Sequence, residues 1–231
     1  MLQLAPEYKL YKYVHLIGIE LEGGFNNPCA FLLEHDGSVS VDADLNGEIP
    51  SPPLKPKDVP QWMNEHYPDA VNVSCGMHVH VSLRKPYYYA RLMEPEFHTY
   101  IKDSLTTWGK KVGIRDDHPF WPRLRGENRY CLDQFYPELQ VSHRDKSDSR
   151  YTQLNYTWAR YRTIECRVLP AFVLPEIGIA AVYAVVDSFE RFLRENKPEP
   201  WAIEDLITPK DILVESNEIV ERHALVLEET I

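Results

Sequence analysis

Alternation of polar and apolar residues marks three segments of the chain as β-strands. They are HLIGIELEGGF (residues 15–25), VNVSCGMHVHVSL (residues 71–83) and part of RYTQLNYTWARYRTIECRVLPAF (residues 150–172). A period of two is typical of a strand that buries one face and leaves the other polar. We expect a Gly-Gly turn to close the first strand and a Cys-Gly break to interrupt the second.

Apolar residues at helical spacing predict helices between and after these strands. One helix follows Pro95, and another runs from about Pro175 to Arg194. A shorter helix follows Asp58, which begins a D-x-x-Q capping pattern, and ends near His66. Antiparallel strands with helices between them predict an α+β fold.

The remaining segments carry turn and loop signals. FLLEHD and SVSVDAD, on either side of Asp36-Gly37, are typical of a β-hairpin. Residues 113–150 are rich in proline and charge, and we expect a long functional loop there. We assign one domain to residues 1–197, with an acidic segment, residues 198–231, packed on or beside it.

Length and composition narrow the class of protein. The 231 residues are 44% hydrophobic and 26% charged, which is ordinary for a globular protein and excludes a disordered or fibrous chain. No apolar run reaches the roughly 20 residues that span a bilayer, and the first residues lack the layout of an export signal. Four cysteines without a C-x-x-C pair are too sparse for a disulfide framework. We therefore expect a cytoplasmic protein with no membrane partner; the oligomeric state, homo-oligomers included, stays open.

Charge is distributed unevenly along the chain. The formal net charge is −10, which argues against nucleic acid as a partner. Residues 84–167 nevertheless carry 16 basic and 11 acidic side chains, whereas both flanking segments are acidic. A basic central third suits a small polyanionic ligand better than a duplex.

Each of the three predicted strands carries two polar side chains at strand spacing. Positions i and i+2 of a strand share a face, about 6.6–6.8 Å apart. The intervening residues (Leu21, Val79 and Cys166) are apolar and should point into the core. The polar pairs are Glu20 with Glu22, His78 with His80, and Glu165 with Arg167.

Taken together, the pairs indicate a cleft for divalent cations and phosphate. Glu48, in the proline-rich GEIPSPP turn, and Asp36 add carboxylates, although Asp36 is also compatible with an ordinary hairpin turn. Several carboxylates with histidine favour Mg²⁺ or Mn²⁺, and no cysteine is placed for tetrahedral zinc. Arg167, beside a candidate ligand, suits a phosphate oxygen. No Walker or Rossmann glycine motif is present. The alternative is that these side chains are scattered over a solvated surface.

The order of six motifs resembles the amidoligase family, a branch of the glutamine synthetase-like carboxylate–amine ligases. The motifs are IGIELEGG, HDGS, GEIPSPPL, CGMHVHVSL, RYTQLNY and TIECRVLP, spread over residues 17–171. The resemblance implies a curved antiparallel sheet with helices on its outer face. It also implies an ATP-dependent, ADP-forming ligase that joins a small-molecule or peptide carboxylate to an amine. ATP and two Mg²⁺ or Mn²⁺ ions would lie on the concave face of the sheet.

The resemblance also implies roles for the acidic residues. Glu20 and Glu22 match the family's E-x-E, whose members bind the two metals, one each. Asp36 and Glu48 match acidic positions that complete the metal shell toward the nucleotide. Glu165 matches a further metal ligand.

Histidine and arginine positions match the nucleotide side of that site. His78 matches a metal ligand between the β- and γ-phosphates, and His80 matches the histidine nearer ATP. Arg167 matches the arginine that holds the transferred phosphoryl group, which together with His78 and Glu165 makes up the catalytic set. Arg150 matches an arginine at the phosphate or substrate side.

Two other functions stay open from the residues alone. A non-catalytic nucleotide-binding or interaction module could keep this fold, and histidines with carboxylates also suit a divalent-metal phosphohydrolase. The loop after His118 would have to close the site with arginines of its own, and Arg129 is either a ligand for the substrate carboxylate or a surface charge. The loop arginines are Arg123, Arg125, Arg129 and Arg144.

Overall fold

A computed structural model describes residues 11–26, 32–34, 39–43, 45–134, 151–157 and 161–197. Five strands form one sheet: β1 (Val14–Phe25), β2 (Leu45–Pro50), β3 (Gly76–Leu83), β6 (Leu154–Asn155) and β7 (Thr163–Pro170). Two short strands form a separate hairpin: β4 (Glu127–Asn128) and β5 (Cys131–Leu132). The helices are α1 (Val59–His66, preceded by the 3-10 turn Pro56–Asp58), α2 (Tyr88–Leu92), α3 (Pro95–Val112), α4 (Phe120–Arg125) and α5 (Pro175–Glu195).

The main sheet has the order β2-β1-β3-β7-β6, and every neighbouring pair is antiparallel. This confirms the predicted α+β class. Strands β1, β3 and β7 lie in the interior of the sheet, where each is hydrogen-bonded on both sides. None of the described helices is long and apolar enough to cross a membrane.

One face of the sheet is covered by helices. Leu21, Val79 and Cys166 are fully buried, as their alternation with polar residues predicted, and they belong to one apolar cluster that includes α3 and α5. Phe97 of α3 packs on Phe189 of α5 with ring centroids 4.7 Å apart. The polar members of the three pairs consequently lie on the opposite face.

The predicted helices are confirmed, with small differences at their ends. α3 begins at Pro95 and ends at Val112; Gly113 follows, and its left-handed φ of +79° suits glycine. α5 begins at Pro175 and extends one residue beyond the predicted end. α1 ends at His66 as expected, but the side chain of Asp58 makes no capping hydrogen bond.

The predicted Gly-Gly turn is wrong, because Gly23 and Gly24 lie inside β1 and pair with β2. A Cβ atom at Gly23 would lie 2.4 Å from Cβ of Pro68, and one at Gly24 equally close to Cβ of Ala43. Neighbouring segments of the same chain therefore approach both glycines too closely for a side chain. The second predicted strand is shorter than expected: it begins at the glycine of the Cys75-Gly76 pair, and residues 71–75 form no strand.

The predicted hairpin is also partly wrong. Residues 39–43 of its second arm form no strand, and the edge strand is β2 instead. In the first arm Glu34 makes an isolated bridge to Glu48; the Asp36-Gly37 turn lies outside the described residues. The edge strand is the segment that pairs with β1, and this pairing sets Glu48 opposite Glu22.

The expected long loop is not irregular throughout. Within residues 113–134 it contains α4 and the β4–β5 hairpin, joined by Gly126 at a φ of +75°. A helix of six residues and strands of two are too short to leave a periodic signal in the sequence.

The start of β1 is held by a carboxylate of α5. Glu190 is buried and accepts hydrogen bonds from the backbone N–H groups of Lys12, Tyr13 and Val14 at 2.7, 2.9 and 3.1 Å. Charged acceptors make the stronger hydrogen bonds. This contact ties the strand that carries Glu20 to the helical layer.

Replacing Glu190 with alanine should destabilise the protein by about 3 kcal/mol, since buried N–H groups would lose a charged acceptor. Glu195→Ala, an exposed carboxylate on the same helix, is the matched control and should stay within about 0.5 kcal/mol of wild type. Urea unfolding measures both values. Equal stability of the two variants would contradict the role given to Glu190.

Candidate functional site

The three polar pairs meet because of the strand register. Glu20 of β1 lies directly opposite His78 of β3, and His80 lies opposite Glu165 of β7. Side chains opposite each other on neighbouring strands share a face. The register therefore gathers both histidines and two carboxylates into one cluster.

Glu20 is hydrogen-bonded to both histidines. Its Oε2 lies 2.9 Å from Nδ1 of His78, and its Oε1 lies 3.0 Å from Nε2 of His80. The Nδ1 atom of His80 is held by the Thr163 hydroxyl at 3.1 Å. The side chain of Glu20 is 27% exposed, against 4% for His78 and 11% for His80. Glu20 thus lies where the cluster opens to solvent.

Glu22 and Glu48 extend the cluster toward the edge strand. They lie opposite each other in the register of β1 with β2. Glu22 is buried, accepts a hydrogen bond from the N–H of Gly76, and has one oxygen 3.4 Å from Nε2 of His78. Glu48 is half-buried.

Glu165 and Arg167 close the cluster on the side of β7. The carboxylate of Glu165 pairs with Nη1 of Arg167 and accepts a hydrogen bond of 2.8 Å from Nδ2 of Asn155. The Oε1 atom of Glu165 also lies 3.4 Å from Nδ1 of His78. The β3–β7 register shifts between Met77 and the next pair, so β7 carries an extra residue beside Arg167, and such bulges redirect side chains.

Mutual interactions keep these buried groups charged. Burial alone would raise the pKa of Glu20, but hydrogen bonds from His78 and His80 hold it well below its ordinary value. Burial would lower the pKa of His80, yet Glu20 and the charge of Glu165 raise it.

The Glu165–Arg167 pair follows the same logic. Burial opposes ionisation of Glu165, and the charge of Arg167 overcomes it and lowers the pKa of that carboxyl. The neighbouring carboxylates, Glu165 foremost, in turn raise the pKa of Arg167 against the effect of burial. Glu165 and Arg167 thus each favour the charged form of the other.

Two groups in the cluster could hold a metal ion, and they share Glu20. One group is Glu20, His80 and Glu165; the other is Glu20, Glu48 and His78. In each, the candidate ligand atoms lie within 4.8 Å of one another. Carboxylate oxygens with one imidazole each suit Mg²⁺ or Mn²⁺.

Further polar atoms near the two groups fit bound ions and their ligands. The Oδ1 atom of Asn155 is buried without a hydrogen-bond partner, although its Nδ2 binds Glu165. A Cβ atom at Gly76 would lie 3.0 Å from Oε2 of Glu22 and 3.1 Å from Nε2 of His78. Glycine at position 76 therefore lets the side chains of Glu22 and His78 approach the backbone closely.

Seven of the nine predicted site residues are brought together here. Asp36 and Arg150 lie outside the described residues. Three of the seven differ from the expected arrangement of one metal for each of Glu20 and Glu22: Glu20 belongs to both candidate metal groups, Glu22 belongs to neither, and His80 belongs to one of them. The seven are Glu20, Glu22, Glu48, His78, His80, Glu165 and Arg167.

Arg123 is the site residue that sequence reasoning did not single out. It was only one of four loop arginines, yet its side chain is 1% exposed and its Nη1 would lie 3.0 Å from a Cβ at Gly76. Its sequence context, FWPRLR, combines aromatic residues with arginines. Aromatic neighbours in a basic loop are the one signal that favoured its burial.

Comparisons of the chain with models of protein families, with curated proteins and with solved structures gave no match. The resemblance therefore rests on the six sequence motifs alone.

Sharing of Glu20 predicts how metal binding responds to single substitutions. Wild type should bind two Mn²⁺ ions per chain. Glu20→Gln should lower the Mn²⁺ affinity of both sites by about tenfold or more, because losing even a residue that only hydrogen-bonds to a metal ligand lowers affinity by about that factor. Glu48→Gln and Glu165→Gln should each leave one site near wild-type affinity.

Calorimetric titration with Mn²⁺ measures stoichiometry and affinity in these variants. The matched control is Glu34→Gln, an exposed glutamate that bridges to β2 but belongs to neither group. Two intact sites in Glu20→Gln would contradict the shared-ligand arrangement.

The cysteines beside the cluster should be unreactive. Cys131 and Cys166 are fully buried, and burial raises the pKa of each thiol to about 12. At pH 8 only about one molecule in 10,000 would then carry either thiolate. Iodoacetamide at pH 8, followed by peptide mapping, should leave both unmodified in native protein and modify both in urea. Rapid alkylation of native Cys166 would instead favour a nucleophile.

Proposed function

We propose that this protein is an ATP-dependent carboxylate–amine ligase, acting through an acyl phosphate on a glutamine synthetase-like fold. The observation that carries the proposal is the shared carboxylate of Glu20, which joins two candidate metal groups on one face of an antiparallel sheet. Arg167 lies beside them with its Nε atom buried and without a hydrogen-bond partner. Two metal groups and a free guanidinium donor are what phosphoryl transfer requires.

The proposed reaction has two steps. A free carboxylate is a poor acyl donor and must first be activated. The substrate carboxylate therefore attacks the γ-phosphorus of ATP, and ADP leaves. An amine then attacks the carbonyl carbon of the acyl phosphate, and phosphate and a proton are released with formation of the amide. The substrates are a small-molecule or peptide carboxylate and an amine, in a cytoplasmic setting.

The described residues have distinct tasks in this reaction. Glu20, with its two sets of partners, would hold two divalent ions, which when bound neutralise charge on the transferring group. Arg167 would hold an oxygen of that group through its unpartnered donor. Glu22 would orient His78, to which it lies 3.4 Å away.

The position of the helices supports the glutamine synthetase-like fold. α3 and α5 pack on the face of the sheet opposite the acidic cluster. ATP and its metals would then lie on the face that carries the cluster, as the resemblance implies. A ligand of strong negative charge also suits the basic central third of the chain.

Nucleotide binding should depend on both the metal and Arg167. A non-hydrolysable ATP analogue should bind wild type with Mg²⁺ and lose measurable binding in EDTA. Arg167→Lys keeps a charge but loses the forked donor, so we expect affinity to fall about tenfold or more. Arg125→Met is the control, because Arg125 is exposed and pairs only with Glu127 among the described residues.

Calorimetry gives these affinities, and ADP release separates the three functional classes. Amine-dependent ADP release with a panel of amino acids and peptides would support the ligase. Nucleotide binding without ADP release on any of them would favour a non-catalytic module. Hydrolysis of a phosphomonoester without ATP would favour a phosphohydrolase, and no nucleotide binding by wild type would overturn the ATP-dependent mechanism.

A further inference from the structure

Arg123 is the largest fully buried side chain among the described residues. It lies on α4, and its own backbone carbonyl accepts hydrogen bonds from Nε2 of Gln153 at 3.0 Å and from Sγ of Cys131 at 3.5 Å. A second bond from the same Gln153 nitrogen reaches the carbonyl of Leu124 at 2.8 Å. The backbone of α4 is thus fastened to β5 and to the segment before β6, which fixes where the guanidinium lies.

The guanidinium of Arg123 has few partners of its own. In the described part of the chain its hydrogen bonds amount to one long contact, 3.4 Å from Nη2 to the carbonyl oxygen of Ser74. Its Nε atom is buried without a partner, and it forms no ion pair with a described carboxylate. A buried arginine is normally paired, because an unpaired charge is costly to remove from water.

The free donors of Arg123 face the acidic cluster. A Cβ atom at Gly76 would lie 3.0 Å from Nη1 of Arg123, 3.0 Å from Oε2 of Glu22 and 3.1 Å from Nε2 of His78. These three atoms therefore converge closely on the backbone of Gly76. Burial lowers the pKa of Arg123; the charge of Glu22 opposes this effect and the nearby charge of Arg167 adds to it.

The charge balance of the site points to an anion between the two arginines. Four carboxylates (Glu20, Glu22, Glu48 and Glu165) would balance two divalent ions, and the charges of Arg123 and Arg167 would then remain. Each guanidinium has a buried Nε without a partner, and guanidinium groups bind carboxylate or phosphate oxygens in pairs.

We infer that Arg123 is an oxyanion-binding residue that holds, together with Arg167, a phosphate or carboxylate group of the substrate. The inference deepens the proposed ligase function of the same site and rests on it for the identity of that group. In that reaction the anion is either the transferred phosphoryl group or the carboxylate that accepts it. Arg123 would bind it through Nε and Nη donors without taking part in proton transfer.

Anion binding by the protein in the presence of Mg²⁺ tests this inference directly. With excess Mg²⁺, inorganic phosphate and acetate would be titrated by calorimetry into wild type, Arg123→Met, Arg123→Lys and Arg125→Met. We expect wild type and Arg125→Met to bind equally, Arg123→Met to bind at least tenfold more weakly, and Arg123→Lys to fall between them. Preference for phosphate would assign the transferred group, and preference for acetate would assign the substrate carboxylate.

Equal affinity of wild type and Arg123→Met for both anions, or no binding by wild type, would overturn the inference. If Arg123→Met does not fold by circular dichroism, Arg123→Lys decides, with at least a threefold loss expected and unchanged affinity contradicting. The anion and nucleotide experiments can fail independently of each other. Phosphate binding that depends on Arg123, without binding of the ATP analogue, would overturn the ligase proposal and support the anion site. Binding of the ATP analogue without any effect of Arg123 on anion binding would overturn only the role inferred for Arg123.

Discussion

The antiparallel pairing of β1 with β3 is the constraint on which the candidate site depends. It sets Glu20 opposite His78 and brings His80 within 3.0 Å of the same carboxylate. A shift of β3 by one residue against β1 would turn His78 and His80 toward the apolar core and away from Glu20, because successive side chains alternate between faces. Burial of Leu21 and Val79 on the helical side therefore holds the polar residues in register.

Balanced charge explains how so many ionisable groups can occupy one face of a sheet. Hydrogen bonds from the histidines hold the pKa of Glu20 low despite burial, and Arg167 does the same for Glu165. Arg123 differs, because its Nε atom is buried without a hydrogen-bond partner. The acidic and histidine groups could hold metal ions, and the proposed metal–nucleotide complex would bring an anion to the arginines as well.

The sequence predicted the long elements better than the short ones. α3 and α5 carry several turns of apolar periodicity and begin at a proline, so both were predicted nearly to the residue. The edge strand β2 was missed, since a six-residue strand is chosen by its partner as much as by its own pattern. α4 and its hairpin were missed for the same reason, and Arg123 was therefore read as a loop residue.

Alternation along single strands is a local property, so the sequence by itself determined which side chains share a face: Glu20 with Glu22, and His78 with His80. It also determined that Cys166 points into the core between Glu165 and Arg167. Tertiary structure alone decided which strands are neighbours, that Glu20 belongs to two groups at once, and that α4 delivers Arg123 beside Gly76. Those relations join residues about 30 to 145 positions apart, and only packing of the apolar face and backbone pairing specify them.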